Sequence, residues 1–141
     1  MKTADVAPKD VLSTLESALE ILRDPKRWVK DTLAQDAAGK DVPPLSKAAV
    51  RFCASAAIQH VLKARESSPI FKAAITELNV TVGKLYPSFH AVEAMNDGSK
   101  GHKQVVRVYE ETIKRVRLDA PAEKPKKAKK VKKAKAKTKP A

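Results

Sequence analysis

SKAAVRFCASAAIQHVLKAR, residues 46–65, reads as the central helix of a small helical domain. Ser46 is placed to cap a helix over Lys47–Arg65, and Leu45 to staple against Val50. Ala48, Ala49, Cys53, Ala54, Ala56 and Ala57 leave little side-chain bulk, while Arg51, Ser55, Gln59 and Lys63 recur at a spacing of four as one polar stripe. The rest of the circumference is apolar and small, so neighbouring helices can approach closely. A polar substitution at Ala56 or Ala57 is therefore expected to cost more stability than any surface change.

Upstream, Val11, Leu15, Ala18 and Leu22 recur at helical spacing, predicting a helix over Asp10–Arg23 with Asp10 as cap and Asp24-Pro25 as stop. A short helical turn is expected next, with Trp28, Val29 and Leu33 on one side, before the chain breaks at Gly39 and Val42-Pro43-Pro44. Downstream, Ser68-Pro69 supplies a cap and a proline at the first helical position for a helix over Ile70–Leu78 that buries Phe71, Ala74, Ile75 and Leu78. Asn79–Tyr86 alternates Val80, Val82 and Leu85 with Thr81 and Lys84, a strand-like pattern without a partner, and is read as a helix end and connector. A short turn around Ser88–Met95 and the cluster Asn96-Asp97-Gly98-Ser99 lead into a last helix over Lys100–Leu118, marked by Val105, Tyr109, Ile113 and Val116. The fold expected is all-α, a compact bundle of four to five helices over residues 1–118, followed by a disordered basic C-terminal tail over 119–141.

The tail dominates the charge. Residues 123–141, EKPKKAKKVKKAKAKTKPA, hold ten lysines, one acid, no aromatic residue and, in Val131, one apolar side chain larger than alanine. Such a segment buries too little surface to offset backbone ordering, about 1 to 2 kcal/mol per residue. With Asp119 included it carries eight of the chain's thirteen net positive charges. Its natural partner is a polyanion: Lys124, Lys126, Lys127, Lys129, Lys130, Lys132, Lys133, Lys135, Lys137 and Lys139 are expected to neutralise DNA or RNA phosphates without sequence preference. Lacking aromatic side chains, the tail cannot stack on exposed bases. On the last helix Lys103, Arg107, Lys114 and Arg117 are candidate secondary phosphate contacts. No pair of helices reads as a helix-turn-helix with a row of base-reading side chains.

Two resemblances attach to these residues. The PKKAKK, KKVKKAKAK and TKP phrases resemble, in composition, the lysine-, alanine- and proline-rich tails of linker histones and bacterial histone-like proteins. In the body, Trp28, Ala34, Asp36 and Gly39, then Phe52-Cys53-Ala54 with Ala56-Ala57, then Asn96-Asp97, resemble an uncharacterised family of small bacterial and phage proteins. That family's pattern sets Ala, Asp and Gly after a tryptophan at the same spacings, followed by Trp-Cys-Ala-x-Gly-Ala and by Trp-Asn-Asp before a terminal helix. Phe52, Ala56 and Met95 depart from it. The resemblance implies a helical domain of bacterial or phage origin and brings no activity with it.

Catalytic and metal chemistry find little footing. Cys53, the single cysteine, would need His60 or His90 as base and Asn96 or Asp97 as orienter. On the helix expected here Cys53 lies about two turns in, beyond the end effect, and His60 two turns further on, so a buried structural thiol is the expectation. Asp36 and Asp97, each close to a glycine, read as turn and helix caps. Asp36, His90, Asp97 and His102 lack the spacing of a metal site. Trp28 reads as a core anchor. Neither a secretory leader nor an apolar run of membrane-spanning length is evident, and one cysteine rules out an internal disulfide, so a reducing cytoplasm is expected.

The expectation is a non-enzymatic, cofactor-free, nucleic-acid-associated accessory protein, cytoplasmic and nucleoid-associated, with no membrane partner. The alternative is a protein-binding regulatory module whose tail only solubilises or attracts acidic surfaces. A stoichiometric protein partner that survives nuclease digestion would favour the alternative.

Overall fold

The computed structural model describes residues 6–64, 67–98 and 101–119. The tail lysines and the expected tail disorder lie outside the described residues.

Helix α1, Pro8–Leu22, opens on a proline whose missing N–H costs nothing in the first turn. Ala7 occupies the cap position without a side-chain bond, so Asp10 is no cap; its carboxylate instead sits in the first turn, favourably placed against the helix dipole. Val11, Thr14, Leu15, Ala18, Leu19 and Leu22 form the buried face. Asp24 then accepts a bond from the Lys26 N–H and starts a single 3-10 turn, Pro25–Arg27.

The helical turn expected after it does not form. Residues 28–35 run extended and irregular, and strand β1, Ala34–Gln35, pairs antiparallel with β2, Arg51–Phe52. The Val29 N–H donates to the Phe52 carbonyl and the Cys53 N–H to that of Leu33, whose own side chain stays about half exposed.

The same pairing shortens the central helix. Residues 46–50 form a turn in which Ser46 Oγ accepts from the Ala48 N–H, and α2 spans only Ala54–Leu62, with Cys53 as its N-cap. The segment 50–53 is held extended from outside. The Val50 N–H donates to the Gln35 carbonyl, Arg27 Nε to the Val50 carbonyl, and the Arg51 guanidinium to the Asp36 carbonyl at 2.8 Å. These tertiary bonds outweigh a local helical preference of a few tenths of a kcal/mol per residue. Leu45 is 42 % exposed and does not staple. The polar stripe is also corrected: Ser55 and Gln59 are buried, and Lys63 ends the helix in the left-handed region at φ 53°. The small residues do what their size suggests, since Ala54, Ala56 and Ala57 are fully buried where α2 meets α1 and the later helices.

Helix α3, Pro69–Leu85, begins as expected, with Ser68 Oγ accepting from the Phe71 N–H. It then continues through the stretch read as a connector. Thr81, which made the pattern strand-like, is buried with its hydroxyl bonded to the Glu77 carbonyl and to Thr112 Oγ1 at 2.6 Å. Helix α4, Val92–Asn96, is a short turn whose first N–H is capped by Asn79 of α3. Helix α5, Gly101–Asp119, runs antiparallel to both α1 and α3: Arg23 pairs with Glu110 while Glu16 pairs with Arg117, and Glu77 pairs with Arg115 while Thr81 meets Thr112. Leu15, Leu22, Phe52, Ile58, Leu78, Met95, Val105 and Tyr109 are fully buried between these elements. The described body is thus an all-α bundle of five helices with one two-stranded clasp.

Candidate functional site

Residues far apart in sequence converge on Asn96, which is fully buried at the end of α4. Its Oδ1 accepts from Trp28 Nε1 at 2.7 Å and from the Ala54 N–H at 3.0 Å. Its Nδ2 donates to the Val29 carbonyl and to Asp97 Oδ1, both at 3.1 Å. An amide has two donor hydrogens and two principal lone pairs, and all four are satisfied. Asp97 Oδ1 also accepts from the Asp31 N–H at 2.7 Å, which holds Asp31 at φ 68°, a conformation that non-glycine residues adopt reluctantly. Trp28 is half-buried, a side chain anchored by its indole N–H. The first residue of α5 must be glycine: a Cβ on Gly101 would press into the Asn96 carbonyl and the Trp28 ring. Asn96 therefore pins the loop after α1, the start of α2 and the end of α4 together, and its carbonyl lies close against the entry to α5.

Next to this node Asp31, Glu93 and Asp97 line a small cavity with Cys53 and Asn96. Cys53 sits at the N-terminus of α2 rather than two turns in, a position that usually lowers a thiol pKa. Here burial wins and pushes it up, against hydrogen bonds from the Ser55 hydroxyl and the Ala56 and Ser55 N–H groups, with the Glu93 charge adding to the rise. Its sulfur lies 3.5 Å from Ser55 Oγ. His60 is engaged elsewhere, with Nδ1 3.2 Å from the Pro44 carbonyl and its ring against Phe52. His90 is exposed. The group is a buried thiol, and among the described residues its side-chain hydrogen-bond partner is Ser55 rather than a base.

Asp36 caps its turn as expected, whereas among the described residues the Asp97 carboxylate serves no local cap and instead takes the distant Asp31 N–H and the Asn96 amide. Asp36 Oδ1 accepts from the Ala38 and Lys40 N–H groups, closing a turn in which Gly39 takes φ 86°. His102 is committed as well, its Nε2 2.8 Å from the Leu22 carbonyl and its ring tilted against Trp28. No cluster of three metal-ligating side chains occurs among the described residues.

The four basic residues singled out on α5 fall into two pairs. Lys103 and Arg107 are exposed and make no ion pair among the described residues. Arg117 is paired with Glu16, and Lys114 lies 3.8 Å from Glu111. Lys114 and Arg117 flank the α1–α5 groove, where Arg23, Lys114 and Arg117 face Glu16, Glu20 and Glu110. That groove is electrically balanced.

Sequence reading missed the Asn96 hub, because Asn-Asp before Gly98 is also what a simple turn looks like. It missed Tyr109 too, whose hydroxyl donates to the Ala54 carbonyl at 2.6 Å. No local signal announces such long-range partners.

Residues 6–115 match the model of a family of unknown function, DUF6197, and the chain belongs to that family. No curated protein and no solved structure matches it.

Proposed function

We propose that this member of a family of unknown function is a non-enzymatic, nucleic-acid-associated accessory protein of bacterial or phage origin, cytoplasmic and nucleoid-associated. In this reading Lys124 to Lys139 bind DNA or RNA phosphate backbones without sequence preference, and the helical body carries that segment from the end of α5. The observation that supports it is the concentration of charge: residues 119–141 hold eight of thirteen net positive charges, whereas the α1–α5 groove balances three bases with three acids. The non-enzymatic reading is supported by the chemistry around Cys53, where burial keeps the thiol protonated and the nearest histidine in sequence is bonded elsewhere.

Gel-shift titrations across salt, on the full chain and on a chain shortened to Asp119, test the proposal. Each phosphate neutralised on duplex DNA contributes about 0.9 to the slope of log affinity against log salt. The full chain is expected to bind more tightly, with a slope steeper by several such contacts. Equal affinities and slopes for the two chains would overturn the proposal.

A further inference from the structure

We infer that the body holds a phosphate of the bound nucleic acid backbone in the pocket between the end of α1 and the first turns of α5, lined by Arg23, His102, Lys103 and Val106. The inference rests on the nucleic-acid reading above and assigns its second contact. Among the described residues every polar side chain lining this pocket is basic, in contrast to the balanced α1–α5 groove and to the cavity beside Asn96, which carries three carboxylates.

The groups are placed for an anion rather than scattered. Lys103 is exposed and not ion-paired among the described residues, so its ammonium loses no protein partner when it meets a phosphate. Arg23 gives one guanidinium nitrogen to Glu110 at 2.9 Å, and a guanidinium carries five N–H donors in a fixed fork, leaving others for a second acceptor. His102 forms a wall, its ring held at one nitrogen by the Leu22 carbonyl and packed at a tilt against Trp28. Arg107 stands one helical turn beyond Lys103 on the same exposed stripe, with Cβ atoms about 5 to 6 Å apart, a spacing that suits neighbouring phosphates of one strand. Lys114 and Arg117 lie on that stripe too, but beside Glu111 and Glu16 their charge is offset. Arg23 is likewise paired with Glu110, so among the described residues the unpaired charge of the site is that of Lys103 and its neighbour Arg107, with Arg23 adding only its spare N–H donors. The contact is therefore a local site at the start of α5, not a basic helix along its whole length.

The test uses the full chain and a short DNA duplex, with amide NMR titrations and salt-dependent affinities. The expected result is that signals of Arg23, His102 and Lys103 shift on duplex addition. In Lys103→Gln with Arg107→Gln these shifts are lost and the salt slope falls by about 1.8, two contacts' worth, with an unchanged melting temperature as the check on folding. Lys114→Gln is expected to leave the slope as it was; an equal loss there would show a diffuse field and overturn the site. Unshifted pocket signals while the duplex still binds overturn the site and leave the tail reading standing. A full chain with its ten tail lysines changed to glutamine separates the two: undiminished duplex affinity in that variant sinks the tail reading alone. Pocket shifts produced by inorganic phosphate but not by the duplex identify a free-anion site and overturn the backbone assignment.

Discussion

Asn96 shows how one side chain sets the relation of three segments, the loop after α1, the start of α2 and the end of α4. Because both amide atoms are used twice inside the protein, Asn96→Ala removes more than one hydrogen bond. The buried Ala54 N–H and the half-buried Trp28 indole N–H and Val29 carbonyl all lose their partner. Each buried group left unsatisfied costs about 1 to 3 kcal/mol, so a loss of about 3 to 5 kcal/mol in urea unfolding free energy is expected, at a large fraction of a small domain's stability. Asn96→Asp keeps the two acceptor bonds but loses both donors, and it sets a second carboxylate against Asp97. It too is expected to destabilise, and more at neutral pH than at pH values near 4, where carboxyl groups begin to protonate. Full stability of either variant would show that the bundle does not depend on this node.

The elements differ in how far the sequence discloses them, for a physical reason. Helix α1, the start of α3 and all of α5 follow from periodicity and end signals, such as Ser68-Pro69, because those cues act within one or two turns. Helix α2 does not. Its composition suits a helix from Lys47, but the backbone of 50–53 is claimed by carbonyls and side chains from residues 27–36, and no window around residue 50 contains that information. Thr81 is the reverse case, a strand-like residue held within a helix, where its hydroxyl is bonded to the Glu77 carbonyl and lies 2.6 Å from Thr112 Oγ1. Hydrogen exchange tests the corrected boundary. The Val50 and Cys53 amides, bonded across to Gln35 and Leu33, are expected to exchange about ten- to a hundredfold more slowly than the exposed Ala48 amide, which is bonded only to Ser46 Oγ. Fast exchange at Val50 together with a continuous protected run from Arg51 would restore the longer helix.

Across the whole molecule, composition disclosed the charge asymmetry, while the placement of charge on the body needed the fold. Lys114 follows Glu111 by one helical turn and pairs with it, whereas Lys103 has no acid that near in the chain. What the fold adds is the row Glu16, Glu20 and Glu110 across the groove from Lys114 and a pocket of basic side chains around Lys103. Two buried acids extend this to stability. Burial pushes the Tyr109 hydroxyl well above its ordinary pKa, with the Cys53 and Glu93 charges adding to the rise, and burial likewise raises the Cys53 thiol. In the unfolded chain these groups lose their protons near pH 8.5 to 9 for the thiol and about 10 for the phenol. The folded chain keeps both protons to higher pH, so over that interval it binds more protons than the unfolded chain, and stability must fall as pH rises. The stabilising contribution is complete below about pH 8 and declines above it, at up to about 1.4 kcal/mol per pH unit for each proton. Groups with the same pKa in both states drop out of the difference. Urea unfolding measured across this range is expected to show the decline, with Cys53→Ala flattening its first part. Tyr109→Phe is less stable at neutral pH, having lost the bond to the Ala54 carbonyl, yet its curve is expected to approach that of the unsubstituted protein above pH 10. Parallel curves for all three proteins would mean that neither proton is held by the fold.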